Sequence, residues 1–275
     1  MSQLQIKPGH KVNLKKIDSS STHGVPDREK AEAVTTAACA RIAELQDLLY
    51  ATGERSLLVI LQGMDASGKD GTVRRVFDNV NPTGVVVTSF KAPTSLEAKH
   101  DFLWRCHNAA PPRGSIGVFN RSYYEEVLVV RVHADKLLPP WLQNKKDVWS
   151  TRFELINEFE KLLALNGTAV LKCFLHISKE EQRQRFLARQ KDPTKNWKLA
   201  PGDFAERQYW NDYQQAFEDV FENTSTPHSP WHIIPADRKW VRNYHVAQLV
   251  EKTLMDMKLE FPKLKDKSLL TMKIK

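Results

Sequence analysis

Gly63-Met64-Asp65-Ala66-Ser67-Gly68-Lys69 is a glycine-framed segment of the form G-x-x-x-x-G-K, and its residue types suit phosphate. Glycines let successive backbone N–H groups turn inward around phosphate oxygens. A following helix N-terminus adds partial positive charge and Lys69 a full one. On this reading Gly63, Ala66, Ser67, Gly68, Lys69, Asp70 and Gly71 line bound phosphates, against a plain alternative of a glycine-rich turn. Two positions depart from the usual loop. Asp70 follows Lys69 where a Ser or Thr hydroxyl normally meets Mg²⁺, and Asp65 lies inside the loop, where a carboxylate would sit beside anions. A carboxylate there is unfavourable unless it faces a cation. Asp65 is therefore expected to hold Mg²⁺, with Mn²⁺ an alternative ion, or else merely to cap the turn. No later apolar run ends in the aspartate of a Walker-B motif; the third ends Val118-Phe119-Asn120-Arg121-Ser122.

The other chemistry-bearing residues are basic and grouped. Arg74 and Arg75 follow the loop, Lys91 follows the second apolar run, Arg121 the third, and Arg131 with His133 closes residues 127–133. Arg183, Arg185, Arg189, Lys191, Lys195 and Lys198 surround Asp192-Pro193-Thr194. Singly, each reads equally well as a solvated charge. At strand ends, where ligands of open α/β sheets bind, the groups read as phosphate contacts. The stretch at about 183–203 suits a lid closing over a transferring phosphoryl group. Trp197, Tyr209, Trp210 and Tyr213 could stack on a base, but their spacing favours a core role.

These residues need a scaffold, and the hydrophobic pattern supplies one. Ala31, Val34, Ala38, Ile42, Leu45 and Leu49 recur at helical steps up to Gly53. Leu57-Leu58-Val59-Ile60-Leu61 then reads as a strand buried on both faces and leading into the loop. Further strands are expected at 85–90, 115–119, 169–177 and 231–234, with helices between them, including 147–165 and roughly 201–221. Ser178-x-x-Glu181 and Ser122-x-x-Glu125 both have the capping-box form. Such alternation predicts an α/β domain with a parallel sheet covered on both sides. Residues 1–26 read as an N-terminal arm, 27–260 as one P-loop domain, and 261–275 as a basic tail.

The chain has 275 residues, 41% hydrophobic and 27% charged, enough for one large domain. A net charge of +8 favours a polyanionic partner: nucleic acid, a membrane surface or a phosphate-rich substrate. Cys39, Cys106 and Cys173 lie in no metal-ligand spacing and are expected to be reduced packing residues of a cytoplasmic protein. No apolar run reaches membrane-span length, and the basic termini lack interleaved aromatics that would stack on nucleic-acid bases. Neither a membrane nor a nucleic-acid partner is expected.

The chain resembles the polyphosphate kinase 2 family. The segments that carry the resemblance are Leu61-Gln62-Gly63-Met64-Asp65-Ala66-Ser67-Gly68-Lys69-Asp70-Gly71-Thr72, Asn120-Arg121-Ser122-Tyr123-Tyr124-Glu125, Val130-Arg131-Val132-His133, Lys191-Asp192-Pro193-Thr194-Lys195-Asn196-Trp197-Lys198-Leu199 and Ile234-Pro235-Ala236-Asp237. The resemblance implies a thymidylate-kinase-like three-layer α/β/α P-loop kinase fold with a helical lid, Mg²⁺ dependence, and assembly as a homo-dimer or homo-tetramer. It also implies reversible transfer of the terminal phosphoryl group of inorganic polyphosphate to AMP or ADP, with guanine nucleotides an alternative. By position, Asp65 and Lys69 match the family's essential loop residues, Arg121 its Walker-B arginine, and Arg189 with Lys191 its lid. Many members have aspartate where this chain has Asn120, and Asn120 with the Lys7-Pro8-Gly9 arm looks like the subgroup, often called class III, accepting both nucleoside mono- and diphosphates. The missing acidic function is assigned to Glu126, as a metal or acceptor-side carboxylate, because the capping box already occupies Glu125 and Glu126 leaves on another helix face. The plainer reading of Glu126 is a surface carboxylate at a helix start. Two rivals share the loop: an ATP-dependent nucleoside monophosphate kinase, and a P-loop regulatory module that gates a nucleic-acid contact.

Overall fold

The computed structural model describes residues 4–274. The first helix, α1 (Arg28–Thr52), starts where Asp27 accepts the Lys30 N–H at 3.0 Å and stops at Gly53, whose φ of 63° few other residues adopt. Then follow β1 (Ser56–Gln62), α2 (Lys69–Val76), β2 (Val85–Ser89), α3 (Trp104–Asn108) and β3 (Ile116–Asn120). A 3₁₀ turn (Tyr123–Val127) leads into α4 (Val129–Val132), α5 (Ala134–Leu137), α6 (Val148–Leu165) and β4 (Thr168–His176). The chain ends with α7 (Lys179–Lys191), α8 (Pro201–Glu206), α9 (Trp210–Thr224), β5 (Trp231–Pro235) and α10 (Lys239–Asp256).

The five strands form one parallel sheet in the order β2-β3-β1-β4-β5. β1, buried along its whole length, is the central strand, and the register sets Leu61 beside both Asn120 and Cys173. The loops after β1 and β3 therefore leave the sheet side by side, at the rim where such sheets bind ligands. One face packs Phe119, Tyr123, Phe174 and Trp231 against α6 and α9; the other packs Leu57, Val59 and Leu61 against α1, α2 and α10. This is a three-layer α/β/α architecture.

Four local expectations are corrected. β2 is an edge strand that pairs with β3 alone, and Val86 and Val87, on its opposite faces, are both about half exposed (53% and 46%). The expected helix over 201–221 is broken by a 3₁₀ segment, Arg207–Tyr209, where the Arg207 guanidinium turns back to the Lys179 carbonyl and Gln182. Trp197 is 77% exposed instead of core, whereas Trp210 and Tyr213 are buried. At α7, Ser178 caps Glu181 N–H at 3.0 Å, but the Ser178 N–H donates to Asp237 and Glu181 pairs with Arg185, so the box is only half made. The N-terminal stretch packs on the domain: Gln5 bridges His232, and Ile6 and Leu14 are buried.

Candidate active site

Gly63 to Lys69 wraps the carboxyl end of β1. Close approach explains both glycines, since a Cβ on Gly63 would lie 2.7 Å from the Leu175 carbonyl and one on Gly68 1.8 Å from Arg242 Nη1. Ala66 takes φ 61°, a left-handed conformation costing about 1–3 kcal/mol outside glycine. It is held from behind. Arg185 Nη1 donates to the Ala66 and Ser67 carbonyls (2.9 and 3.0 Å) while its Nη2 donates to those of Ala236 and Asp237 (2.6 and 2.9 Å). Arg242 adds a bond to Ser67 O (3.3 Å), and Gln182 donates to Asp65 O (2.9 Å). The loop's outward carbonyls are thus bound, which leaves its inner face to a ligand. Ser67 Oγ, close to Gly63, is buried without a partner.

Lys69 is buried, with Nζ donating to Gly63 O (2.7 Å) and Met64 O (3.3 Å). Burial, reinforced by nearby Arg121, pushes its pKa down to about 8. Arg121, at φ 64°, is the other strained position at the site, and its Nη2 donates to Asp65 Oδ1 at 2.6 Å. Burial alone would lower the Arg121 pKa, but Glu125 and Asp65 more than reverse it and the pKa stands raised. Asn120 Nδ2 donates to Asp70 Oδ1 at 2.6 Å, and Lys198 lies 3.7 Å from the same carboxylate. Asp65, Lys69, Arg121, Asp70 and Asn120 therefore form one constellation.

The two glutamates exchange the places expected of them. The segment after Ser122 is a 3₁₀ turn in which Ser122 Oγ accepts from Tyr124 N–H, so no capping box forms with Glu125. Glu125 instead faces the loop: its Oε1 accepts from Gln62 Nε2 at 3.1 Å, and its charge acts on Lys69 and Arg121. Glu126 points away, pairing with Arg152 of α6 at 2.5 Å. The assignment of Glu126 to catalysis and metal is corrected accordingly. The 100° step that separates helical neighbours is replaced by the tighter 3₁₀ geometry.

Arg131, expected at phosphate, pairs through Nη2 with Asp219 of α9 (2.5 Å), while its Nη1 is buried without a partner. Lys191 is exposed, and Arg189 lies over Phe186 with its charge reaching Asp203. Asp203, at the start of α8, was not singled out from sequence; burial and then Asp65 raise its pKa. Lys91 lines a cleft of about 380 Å³ beside Asn120, with Ser89, Phe90, Thr94, Glu97 and Arg105. A second cleft of about 650 Å³ lies behind the loop, lined by Arg28, Thr36, Arg75, Asp237, Lys239 and Trp240 among others. No sequence signal pointed to Gln182, Arg185 or Arg242 as loop supports, since their partners are backbone carbonyls.

A P-loop whose carboxylate, lysine and partner arginine sit in this order is matched by the family model for polyphosphate kinase 2, which covers residues 26–262. The chain belongs to the polyphosphate kinase 2 family. It is 44% identical to an AMP/ADP-polyphosphate phosphotransferase of Meiothermus ruber, over 95% of this chain and 96% of that one. It is also 44% identical to an ADP-polyphosphate phosphotransferase of Rhodopseudomonas palustris, over 94% and 91%. The crystal structure of polyphosphate kinase 2 from Arthrobacter aurescens TC1 superposes with a TM-score of 0.90 at 41% identity, covering 98% of this chain and 94% of that one. The three-layer sheet is thus the family's P-loop kinase fold. Among the described residues no helix is long and apolar enough to cross a membrane.

Proposed function

We propose that this chain transfers the terminal phosphoryl group of inorganic polyphosphate to AMP or ADP, reversibly and in line. The observation that carries this reading is the loop constellation itself, in which Lys69 is held inside the P-loop at Gly63 O (2.7 Å) and Arg121 is paired with Asp65 (2.6 Å). Loop N–H groups and Lys69 hold the donor phosphate undergoing transfer. The donor chain continues past the loop into the cleft of Arg28, Arg75 and Lys239, whose wall at Asp237 is one guanidinium width from Ala66. The acceptor nucleotide lies in the cleft beside Asn120, with Lys91 and Arg105 toward its phosphate. Asn120 supports acceptance of both mono- and diphosphates; adenine is the favoured base and guanine the alternative.

Mg²⁺ is usually held by one or two carboxylates plus substrate phosphates and water, and Asp65 and Glu125 bring two carboxylates whose charges both act on Lys69 and Arg121. Asp65 and Glu125 would hold it, and when bound it supplies charge neutralisation at the transferring phosphate. Arg121, Arg189 and Lys191 stabilise the charge spread over the equatorial oxygens, and residues 183–203 close over them to exclude water. The reading includes a homo-dimer or homo-tetramer, no nucleic-acid partner, and a reducing, cytoplasmic setting suited to three buried free cysteines. The test is conversion of AMP and of ADP by long-chain polyphosphate without ATP. Phosphorylation of AMP by ATP alone, with polyphosphate inert, would favour the nucleoside monophosphate kinase instead.

A further inference from the structure

Beneath the active-site turn lies a buried polar cluster that the transfer chemistry does not touch. Glu160 (α6) and Lys172 (β4) are both fully buried and pair at 2.7 Å. Every polar valence of the pair is used. Glu160 Oε1 accepts from the hydroxyls of Tyr123 (2.8 Å) and Tyr124 (2.7 Å), and its Oε2 accepts from Lys172 and from Ser229 Oγ (2.5 Å). Lys172 Nζ donates its other two protons to Tyr124 OH (3.0 Å) and the Thr224 carbonyl (2.7 Å). Burial and the Glu160 charge hold both tyrosine pKa values well above the ordinary value, so both hydroxyls stay protonated as donors.

Such a pair is a poor device for stability alone. Desolvation of two charges offsets most of their attraction, and apolar side chains of similar volume commonly serve the fold as well or better. What directional bonds add is a fixed geometry. Here the fixed object is the turn Tyr123–Val127, which is separated by Ser122 alone from Arg121 in its strained conformation and carries Glu125. Tyr123 and Tyr124 point down to Glu160, Glu126 sideways to Arg152 of the same helix, and Glu125 alone points up to the loop.

We propose that the buried Glu160–Lys172 pair, acting through Tyr123 and Tyr124, is a positioning device that sets Arg121 and Glu125 against Asp65 and Lys69. The pair touches no substrate. It rests on the polyphosphate reading only for its activity readout.

Two variants test it: Tyr124→Phe, which removes one hydroxyl and keeps the ring, and the double variant Glu160→Gln/Lys172→Met, which removes both charges together and so strands neither. Each is assayed well below its unfolding temperature, with hydrogen exchange measured by peptide. The expected result is a kcat loss of about tenfold or more with KM for polyphosphate and AMP held within about twofold. Amides of residues 121–126 should exchange at least about tenfold faster, with the rest of the core unchanged. A lower unfolding temperature with kcat and exchange at 121–126 unchanged would overturn the proposal, as would exchange rising uniformly across the core. Should Tyr124→Phe fail to fold, the double variant decides. If the wild-type chain proves inactive with polyphosphate, the functional reading fails, and the exchange measurement still decides the positioning role.

Discussion

Exchanging Glu125 and Glu126 for glutamine in turn separates the two roles that the turn gives them. Glu126 and Arg152 keep only 17% and 10% side-chain exposure at 2.5 Å separation. Removing one partner of a fully buried pair costs about 3–5 kcal/mol. Some water contact remains, and a glutamine carbonyl can still accept from Arg152, so about 2 kcal/mol is expected for Glu126→Gln. For a chain of this size that lowers Tm by about 4–8 °C. Glu125→Gln keeps a side-chain amide against Gln62 and should leave Tm within about 2 °C. It removes, however, the carboxylate that acts on Lys69 and Arg121, and a kcat loss of about a hundredfold, near 3 kcal/mol of barrier, is expected. The assays are thermal unfolding and initial rates with polyphosphate and each of AMP and ADP. Loss of rate without loss of stability in Glu126→Gln, with Glu125→Gln near wild type, would refute the assignment.

Two further outcomes follow from the loop and its neighbouring cleft. The Lys69 pKa is depressed from 10.5 to about 8, so the unfolded chain binds this proton more tightly and the group's burial penalty is relieved as pH rises between those values. An arriving phosphate restores the charge, and calorimetry of tripolyphosphate binding at about pH 8.5, in buffers of different ionisation enthalpy, should register proton uptake that Lys69→Met abolishes; uptake unchanged in that variant would place the proton elsewhere. Arg75→Ala/Lys239→Ala should raise KM for long-chain polyphosphate about tenfold relative to KM for tetraphosphate and flatten its salt dependence, and equal shifts for both chain lengths would remove the cleft from the donor path.

The alternation of apolar runs made the sheet readable, because strands buried on both faces carry a signal that depends on composition alone. Leu57 to Leu61 and the run ending at Phe119 are cases in point. The loop was readable for a different reason: G-x-x-x-x-G-K imposes backbone conformations, seen at Gly63 and Gly68, that few other sequences satisfy. What escaped was the direction of side chains after a strand end. Ser122-x-x-Glu125 matches a capping box in sequence, yet the segment is a 3₁₀ turn in which Tyr123 and Tyr124 are bound to the distant Glu160 and the two glutamates take other partners. Long-range polar pairing of this kind links residues that lie far apart in the chain and leaves no periodic trace. Arg131 escaped likewise, since nothing in its neighbourhood announces Asp219.

Asn120 brings no carboxylate to the end of β3, and the acidic groups nearby differ in their settings. Asp70 is the nearest, at 2.6 Å from Asn120 Nδ2, so one negative charge stands within a side chain's length of position 120. Yet its side chain is 67% exposed and shares Lys198 as a neighbour, which leaves its field in high dielectric and open to screening. Asp203 sits across from Asp65, but burial and that like charge raise its pKa, a direction that favours a proton donor over a permanent anion. Glu126 is neutralised by Arg152. Glu125 differs from all three: it is half-buried, anchored by Gln62 at the end of β1, and its charge favours the charged form of both Lys69, where burial still wins, and Arg121. A charge in that setting acts through a lower effective dielectric than Asp70 does, by a factor of about four at equal distance. Among these four carboxylates, Glu125 is the one whose charge bears on both Lys69 and Arg121. Asp70 holds the Asn120 amide through Nδ2 at 2.6 Å, with Ser89 Oγ a second, longer acceptor at 3.5 Å.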